Sequence, residues 1–223
     1  MNPDYTLKNI IFDNKYFFVP YMAFLISGLF EFYFGSHASV LLFINSLHNN
    51  YLDFFFSYVT YLGDGISSII VALILIFVRY RYSMFVILSY ITGGLFAQLI
   101  KNFAQTPRPK LYFEHSSIAL NYVPGVDLLM FNSFPSGHSA SAFSLFLTIA
   151  IITKNKLLGI AFFFCALIVA ASRIYLLQHF FVDVYFGSII GVFFALLTIV
   201  AMNHIYKISS SEILNTSLRT KIN

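Results

Sequence analysis

Apolar residues run through this chain in blocks, broken by short polar stretches such as "RYRY" at 79–82 and "TKNK" at 153–156. A membrane-crossing helix needs about 20 mostly apolar residues. On that measure the pattern predicts six spans, at about Tyr16–Phe34, Asp64–Val78, Tyr82–Ile100, Ser136–Ile152, Leu157–Leu176 and His179–Asn203. The second and fourth reach full length only if their polar first turns are helical. Residues 35–63 interleave Phe, Leu and Ile with His, Asn and Asp, the pattern of an amphipathic helix lying in the membrane interface between the first two spans. Residues 102–135 hold Pro107, Pro109, Pro124 and Pro135, four of the six prolines, and are expected to form an irregular loop. The expected protein is all-α and polytopic. It has one membrane-embedded domain over residues 1–223, with short tails at 1–15 and 205–223.

Composition points the same way. The chain of 223 residues is 59% hydrophobic and only 10% charged, with a mean hydropathy of +0.80. A soluble domain is typically about a quarter charged, so this one is expected to be dissolved in lipid, and nothing marks a nucleic-acid partner. There are 28 Phe and 15 Tyr but no Trp, so any interfacial aromatic belt rests on Tyr. The single cysteine, Cys165, lies inside an apolar run and reads as a packed thiol. The opening "MNPDYTLKNIIFDNK" lacks the basic start and small-residue cleavage site of a signal peptide, so the first apolar block is expected to stay as a span. With six spans both termini share a face. That face carries nine of the 13 Lys and Arg residues and the opposite face four. Positive charge marks the cytoplasmic side. Both termini are therefore expected in the cytoplasm, and the two long connections outside the cell membrane.

Most of the conspicuous polar residues fall on that outer face. Lys101 ends the third span and Arg108 follows it. Ser136, Gly137 and His138 open the fourth, Arg173 stands near the end of the fifth, and His179 and Asp183 open the sixth. Arg can grip a phosphoryl group with paired hydrogen bonds. A helix N-terminus at Ser136-Gly137-His138 offers free N–H groups to an anion, and Gly137 permits close approach. His179 and Asp183, four apart, would share one helix face. The carboxylate can then hold one imidazole nitrogen and leave the other as a nucleophile. His138 is a second histidine able to act as general acid. Spacing alone does not decide which histidine plays which part. By contrast, His37, His48, His115 and His204 read as solvated surface groups, Lys110 as an interfacial anchor, and Asp64 in "LGDG" as a helix cap or paired charge.

Three stretches, "KNFAQTPRP", "PSGH" and "SRIYLLQHFFVD", stand in this order between Lys101 and Asp183. Together they resemble the signature motifs of the type 2 phosphatidic acid phosphatase family, which shares its site with vanadium haloperoxidases and glucose-6-phosphatase. The stretch "NSLHNNYLDFFFSYVTYLGDG" is also similar to bacterial members. The resemblance implies that His179 attacks phosphorus to form a phosphohistidine, Asp183 supports it, and His138 protonates the leaving oxygen. Lys101, Arg108, Ser136, Gly137 and Arg173 would bind the phosphoryl oxygens. It implies no metal and no other cofactor.

The resulting expectation is a phosphatase of the cell (inner) membrane. It would act on a lipid phosphate or diphosphate at the extracytoplasmic face, with the bilayer and that lipid as its partners. Undecaprenyl diphosphate is the first choice of substrate; phosphatidylglycerophosphate, phosphatidic acid and lipid A phosphates are alternatives. Segment 35–63 is expected to shape lipid entry. The competing class is an anion-binding transporter, which also points helix N-termini at anions but has little use for a His-Asp pair and a second histidine.

Overall fold

The structure, a computed structural model, describes residues 6–209 and 212–218. Among these every regular element is helical. Helix α1 spans Leu7–Asp13, α2 Lys15–Phe34, α3 Ser39–Ser46, α4 Asn50–Val59, α5 Gly65–Ile76 and α6 Tyr80–Ala104. Helix α7 spans Pro109–Tyr112, α8 Gly137–Ile152, α9 Gly159–Tyr175 and α10 Phe181–Ser209. Four stretches are long and apolar enough to cross a membrane: Lys15–Phe34, Tyr80–Tyr112, Lys156–Tyr175 and Phe181–Ile205. A fifth is present if Asn50–Gly63 and Gly65–Ile76, bent by 57° where they meet, count as one span. Helix α8 is apolar but has only 16 residues, about 24 Å against a hydrocarbon core of about 30 Å.

Several boundaries differ from the sequence expectation. The second span, expected over Asp64–Val78, is the 12 residues of α5, which starts after Asp64 and stops at Ile76. The single amphipathic helix expected over 35–63 is two helices. They part at Leu47–Asn49, where the Asn49 side chain accepts from the Tyr51 and Leu52 amides at 3.1 and 3.0 Å and starts α4. The expected N-terminal tail contains α1, anchored by Ile10, which is fully buried. At the other end α10 continues to Ser209, and the Tyr80 amide donates to Thr216 O at 3.1 Å. The remaining tail residues, 1–5, 210–211 and 219–223, lie outside the described residues.

Helix α8 is central, packed against α6, α9 and α10, and buries Ala140, Phe143, Leu147 and Ile151. The α8–α10 contact depends on small residues. A Cβ on Gly187 would lie 2.5 Å from Ser136 O, and one on Gly191 would overlap Ala140 O. The two glycines are four apart, the spacing that lets membrane helices approach closely. Phenylalanines fill the space between α2 and α9, as in the T-shaped Phe17–Phe163 pair at 5.9 Å. The outward faces carry exposed Val19, Leu29, Ile70, Leu95 and Phe193, the surface expected of a chain dissolved in lipid. Cys165, half-buried, is one of the apolar residues of α9.

The helices alternate in direction, so the C-terminal ends of α6 and α9 meet the N-terminal ends of α8 and α10. At the opposite end Lys156 Nζ donates to Asn14 Oδ1 at 3.0 Å and to the carbonyls of Ala150 and Ile151 at 3.2 and 2.6 Å. This ties the start of α2 to the end of α8.

Candidate active site

The sequence-predicted residues gather where those four helix ends meet. Ser136 caps α8: its Oγ accepts from the Ser139 amide at 3.4 Å and from Ser139 Oγ at 3.1 Å. Its own amide donates to Asp183 O at 2.9 Å, which joins the start of α8 to the start of α10. The next amides, of Gly137 and His138, point out of the first turn of α8, where a helix has no internal acceptors. A Cβ on Gly137 would meet nothing within 4 Å. Space in front of this helix end is therefore open, as an anion cradle requires.

Arg173 stands in the last turn of α9, which ends in a double backbone bond. Gln178 N donates to Arg173 O at 2.9 Å and Leu177 N to Ile174 O at 3.0 Å. Leu177 takes the left-handed conformation, φ 55°, where glycine is usual. The turn brings His179 N to the same Arg173 carbonyl at 3.1 Å, so His179 is set against the end of α9. The Arg173 guanidinium is buried and donates through Nη1 to Thr60 Oγ1 at 2.6 Å. Its Nε has no partner among the described residues.

His179 and Asp183 meet, but not on one helix face as their spacing suggested, because α10 starts only at Phe181. Asp183 is the third residue of α10, and its Oδ2 accepts from the Phe180 amide at 2.8 Å. That is the reach-back bond of a capping box. The same oxygen accepts from Ser133 Oγ at 2.5 Å and lies 3.4 Å from His179 Nδ1. Asp183 is thus held on three sides, with Nδ1 of His179 facing it and Nε2 left for chemistry. His179 is only 2% exposed. Burial, opposed by Asp183, lowers its pKa from the ordinary imidazole range to about 3. The ring is neutral at physiological pH.

Of the two cations that follow the third span, Arg108 is less free than expected. Lys101, in the last turn of α6, lines a cleft of about 420 Å³ with Gln98, Arg108 and residues 129–132. The Arg108 guanidinium is tied to the protein itself: Nε to Phe131 O at 2.9 Å, Nη1 to Gln178 O and Oε1 at 3.0 Å each, and Nη2 to Asn132 O at 3.4 Å. It anchors the 124–132 loop and supplies charge, with little donor capacity left for a ligand. A second cleft, about 460 Å³, is lined by His138, Arg173, Gln178 and the turn from Thr60 to Asp64, with loop residues 124–127 opposite. Leu129 belongs to both, so the loop lies between the Lys101 side and the His138 side.

Sequence reasoning missed Ser133, Thr60 and Gln178, which position Asp183, Arg173 and Arg108. Small polar residues in loops carry no pattern that distinguishes them; the nearest signal was the position of Ser133 just before Ser136. Of the histidines set aside, His37 lies against Phe180 with ring centroids 4.4 Å apart and planes tilted by 40°, and His48 Nδ1 lies 3.0 Å from Asp53 Oδ1. Lys110 is exposed, as an anchor would be. Asp64 heads α5, but its side chain makes no cap bond. Among the described residues no three of His, Cys, Asp or Glu stand together as a set for a metal ion.

Known proteins are similar to this chain in sequence and fold. Two curated lipid A 1-phosphatases, from Rhizobium johnstonii and Rhizobium etli, are each 29% identical over 110 residues, 49% of this chain and 43% and 46% of theirs. The matched region is thus less than half the length of those relatives. The crystal structure of Aquifex aeolicus LpxE superposes with a TM-score of 0.65 at 26% identity, over 73% of this chain and 94% of that one. The first transmembrane PAP2 type phosphatidylglycerolphosphate phosphatase from Bacillus subtilis shares the fold, with a TM-score of 0.61 at 22% identity over 76% of this chain and 85% of that one. The family profile described as the PAP2 superfamily matches residues 82–207, from the start of α6 through the whole site. With those motifs on those helix ends and lipid-facing apolar helices around them, the chain is an integral membrane protein that belongs to the PAP2 superfamily.

Proposed function

We propose that this protein is a lipid phosphatase that works through a phosphohistidine. The observation that carries the reading is the meeting, at one open helix N-terminus, of a neutral His179 braced by Asp183, a second histidine and Arg173, with the charges of Lys101 and Arg108 within electrostatic reach. His179 Nε2 attacks phosphorus; an N–P bond forms as the bond to the leaving oxygen breaks. His138, protonated once the anionic phosphate is bound beside it, gives that proton to the leaving oxygen. Water then attacks phosphorus, returns a proton to His138 and releases inorganic phosphate from His179. The amides of α8 and the guanidinium of Arg173 stabilise the charge on the phosphoryl oxygens as it develops. Arg108 adds its charge from behind the loop, and no step draws on a metal.

The site end is proposed to face the extracytoplasmic side of the inner membrane, with both termini in the cytoplasm, on the uneven distribution of Lys and Arg. Counting α8 and the bent α4–α5 pair as spans gives six. The curated relatives favour a phosphate monoester of the lipid A type as substrate, ahead of undecaprenyl diphosphate, the first expectation from sequence. The test is phosphate release from a panel of lipid phosphates in detergent with chelator present. Wild type should turn over at least one, and His179→Ala none. An acid-labile, alkali-stable phosphoenzyme should form in wild type alone. Equal rates for wild type and His179→Ala would overturn the reading and favour a transporter.

A further inference from the structure

The cleft beside His138 is larger than a phosphoryl group needs, and its charge is divided. His138 and Arg173 line it together with Ser57, Thr60, Tyr61 and the carboxylate of Asp64. The turn that carries Asp64 is seated on the site itself. Thr60 accepts from Arg173. A Cβ on Gly63 would lie 2.9 Å from His138 O and 3.1 Å from His138 Cβ, so a residue without a side chain is what lets the turn come this close. Asp64 follows at once, half-buried, at the N-cap position of α5. It does not cap that helix, and among the described residues its carboxylate has no hydrogen bond or ion pair. The charge of Arg173 lies within electrostatic reach of it, but no hydrogen bond from the protein occupies its oxygens, and Asp64 lines the cleft where a ligand could donate to them.

We propose that Asp64 selects the leaving group, accepting a hydrogen bond from a hydroxyl, amide or ammonium group on the alcohol that His138 protonates. The inference rests on the phosphatase reading and narrows it. The preferred substrates are phosphate monoesters of polyol or amino-sugar head groups, in which such a donor lies close to the ester oxygen. Diphosphates are disfavoured, because their leaving group is itself a phosphate whose charge would stand against Asp64. Tyr61 and Ser57, lining the same cleft, offer hydroxyls to the rest of such a head group.

The experiment compares phosphatidylglycerophosphate, phosphatidate and farnesyl diphosphate in one detergent, for wild type, Asp64→Asn and Asp64→Lys. The phosphatidylglycerol that leaves from the first carries a free hydroxyl next to the ester; the diacylglycerol that leaves from the second carries none. Wild type is expected to show its highest kcat/KM on phosphatidylglycerophosphate. Asp64→Asn should lower the ratio of that value to the phosphatidate value roughly tenfold, the size of a lost bond to a charged acceptor. Asp64→Lys should raise the ratio of farnesyl diphosphate to phosphatidate. Each ratio is taken within one preparation, so partial misfolding cancels. Either ratio left at its wild-type value overturns the proposal, and so does a wild type that prefers phosphatidate or the diphosphate. Wild type that releases phosphate from none of the three overturns the phosphatase reading as well.

Discussion

At the scale of single residues, the proposed nucleophile depends on what holds it. His179 Nδ1 faces an Asp183 oxygen that already accepts from Phe180 N and Ser133 Oγ. Replacing Ser133 with Ala removes a bond to a charged group, worth about 1.5–3 kcal/mol, and loosens the carboxylate that aims the ring. The expected result is a fall in kcat of about tenfold or more with KM little changed, partly restored by Ser133→Thr. A fall confined to KM would assign Ser133 to binding instead. The His179 pKa, lowered to about 3 by burial, has a definite sign. The unfolded chain takes up a proton at His179 below about pH 6.5, and the folded chain does not. Stability linked to this residue is therefore present above pH 6.5 and lost as pH falls toward 3. At pH 5 the loss is about 2 kcal/mol, and His179→Gln should show a correspondingly smaller drop in unfolding free energy between pH 7.5 and 5. Lys101, Arg173, His179 and Asp183 were legible in the sequence because ionisable groups in apolar blocks stand out. Ser133, Thr60 and Gln178 were not, because their role comes entirely from where the turns of α9 and the 124–132 loop carry them. Arg108 was legible as a cation, but its engagement with loop carbonyls is a tertiary fact that no spacing encodes.

At the scale of elements, the site exists because four helix ends are held in register. The α8–α10 contact does most of this, since His138 rides on one helix and His179 and Asp183 on or beside the other. Gly187 and Gly191 meet backbone oxygens of Ser136 and Ala140, which cannot turn aside as a side chain can. Gly191→Ala should push the helices apart, costing about 1–3 kcal/mol and most of the phosphatase activity. Gly94, on α6, has nothing within 4 Å of its Cβ position. Gly94→Ala is expected to be neutral or to stabilise by up to about 1 kcal/mol, with activity kept. Thermal unfolding in detergent, run beside the assay, separates the two; equal behaviour would remove close packing as the reason for the glycines. The small residues Ser139, Ala140 and Ser141 after His138 are a sign in the sequence of close helix approach, and Ala140 is at the contact. The end of α9 gave no such hint, because Leu177 occupies a left-handed position usually marked by glycine. The break before α5 was visible as Gly63-Asp64-Gly65, but the 57° bend there depends on Gly63 packing against His138 and Val169.

At the scale of the whole molecule, the site end and its opposite differ in charge and in what they must meet. The long apolar blocks made the membrane fold legible, since burying them in lipid needs no partner. They could not settle how the shorter helices α5 and α8 cross, because length alone does not say how far head groups dip toward the site. The proposed orientation rests on the cations: those expected at the end away from the site outnumber those near it by nine to four, and positive charge is retained in the cytoplasm. The loop carrying exposed Ser116 and the turn carrying exposed Lys154 lie at opposite ends of the helices. In a Cys165→Ala background, which removes the single native thiol, cysteine is placed at one position or the other. A membrane-impermeant maleimide added to intact cells should label Ser116→Cys, and Lys154→Cys only after the inner membrane is permeabilised. The reverse pattern would place the site in the cytoplasm and leave the charge asymmetry unexplained. Changing Lys154 and Lys156 to Gln removes charge from one turn proposed to be cytoplasmic and also the Lys156 bonds to Asn14, Ala150 and Ile151. That variant should lower stability while leaving the labelling pattern unchanged, because seven of the nine cations remain.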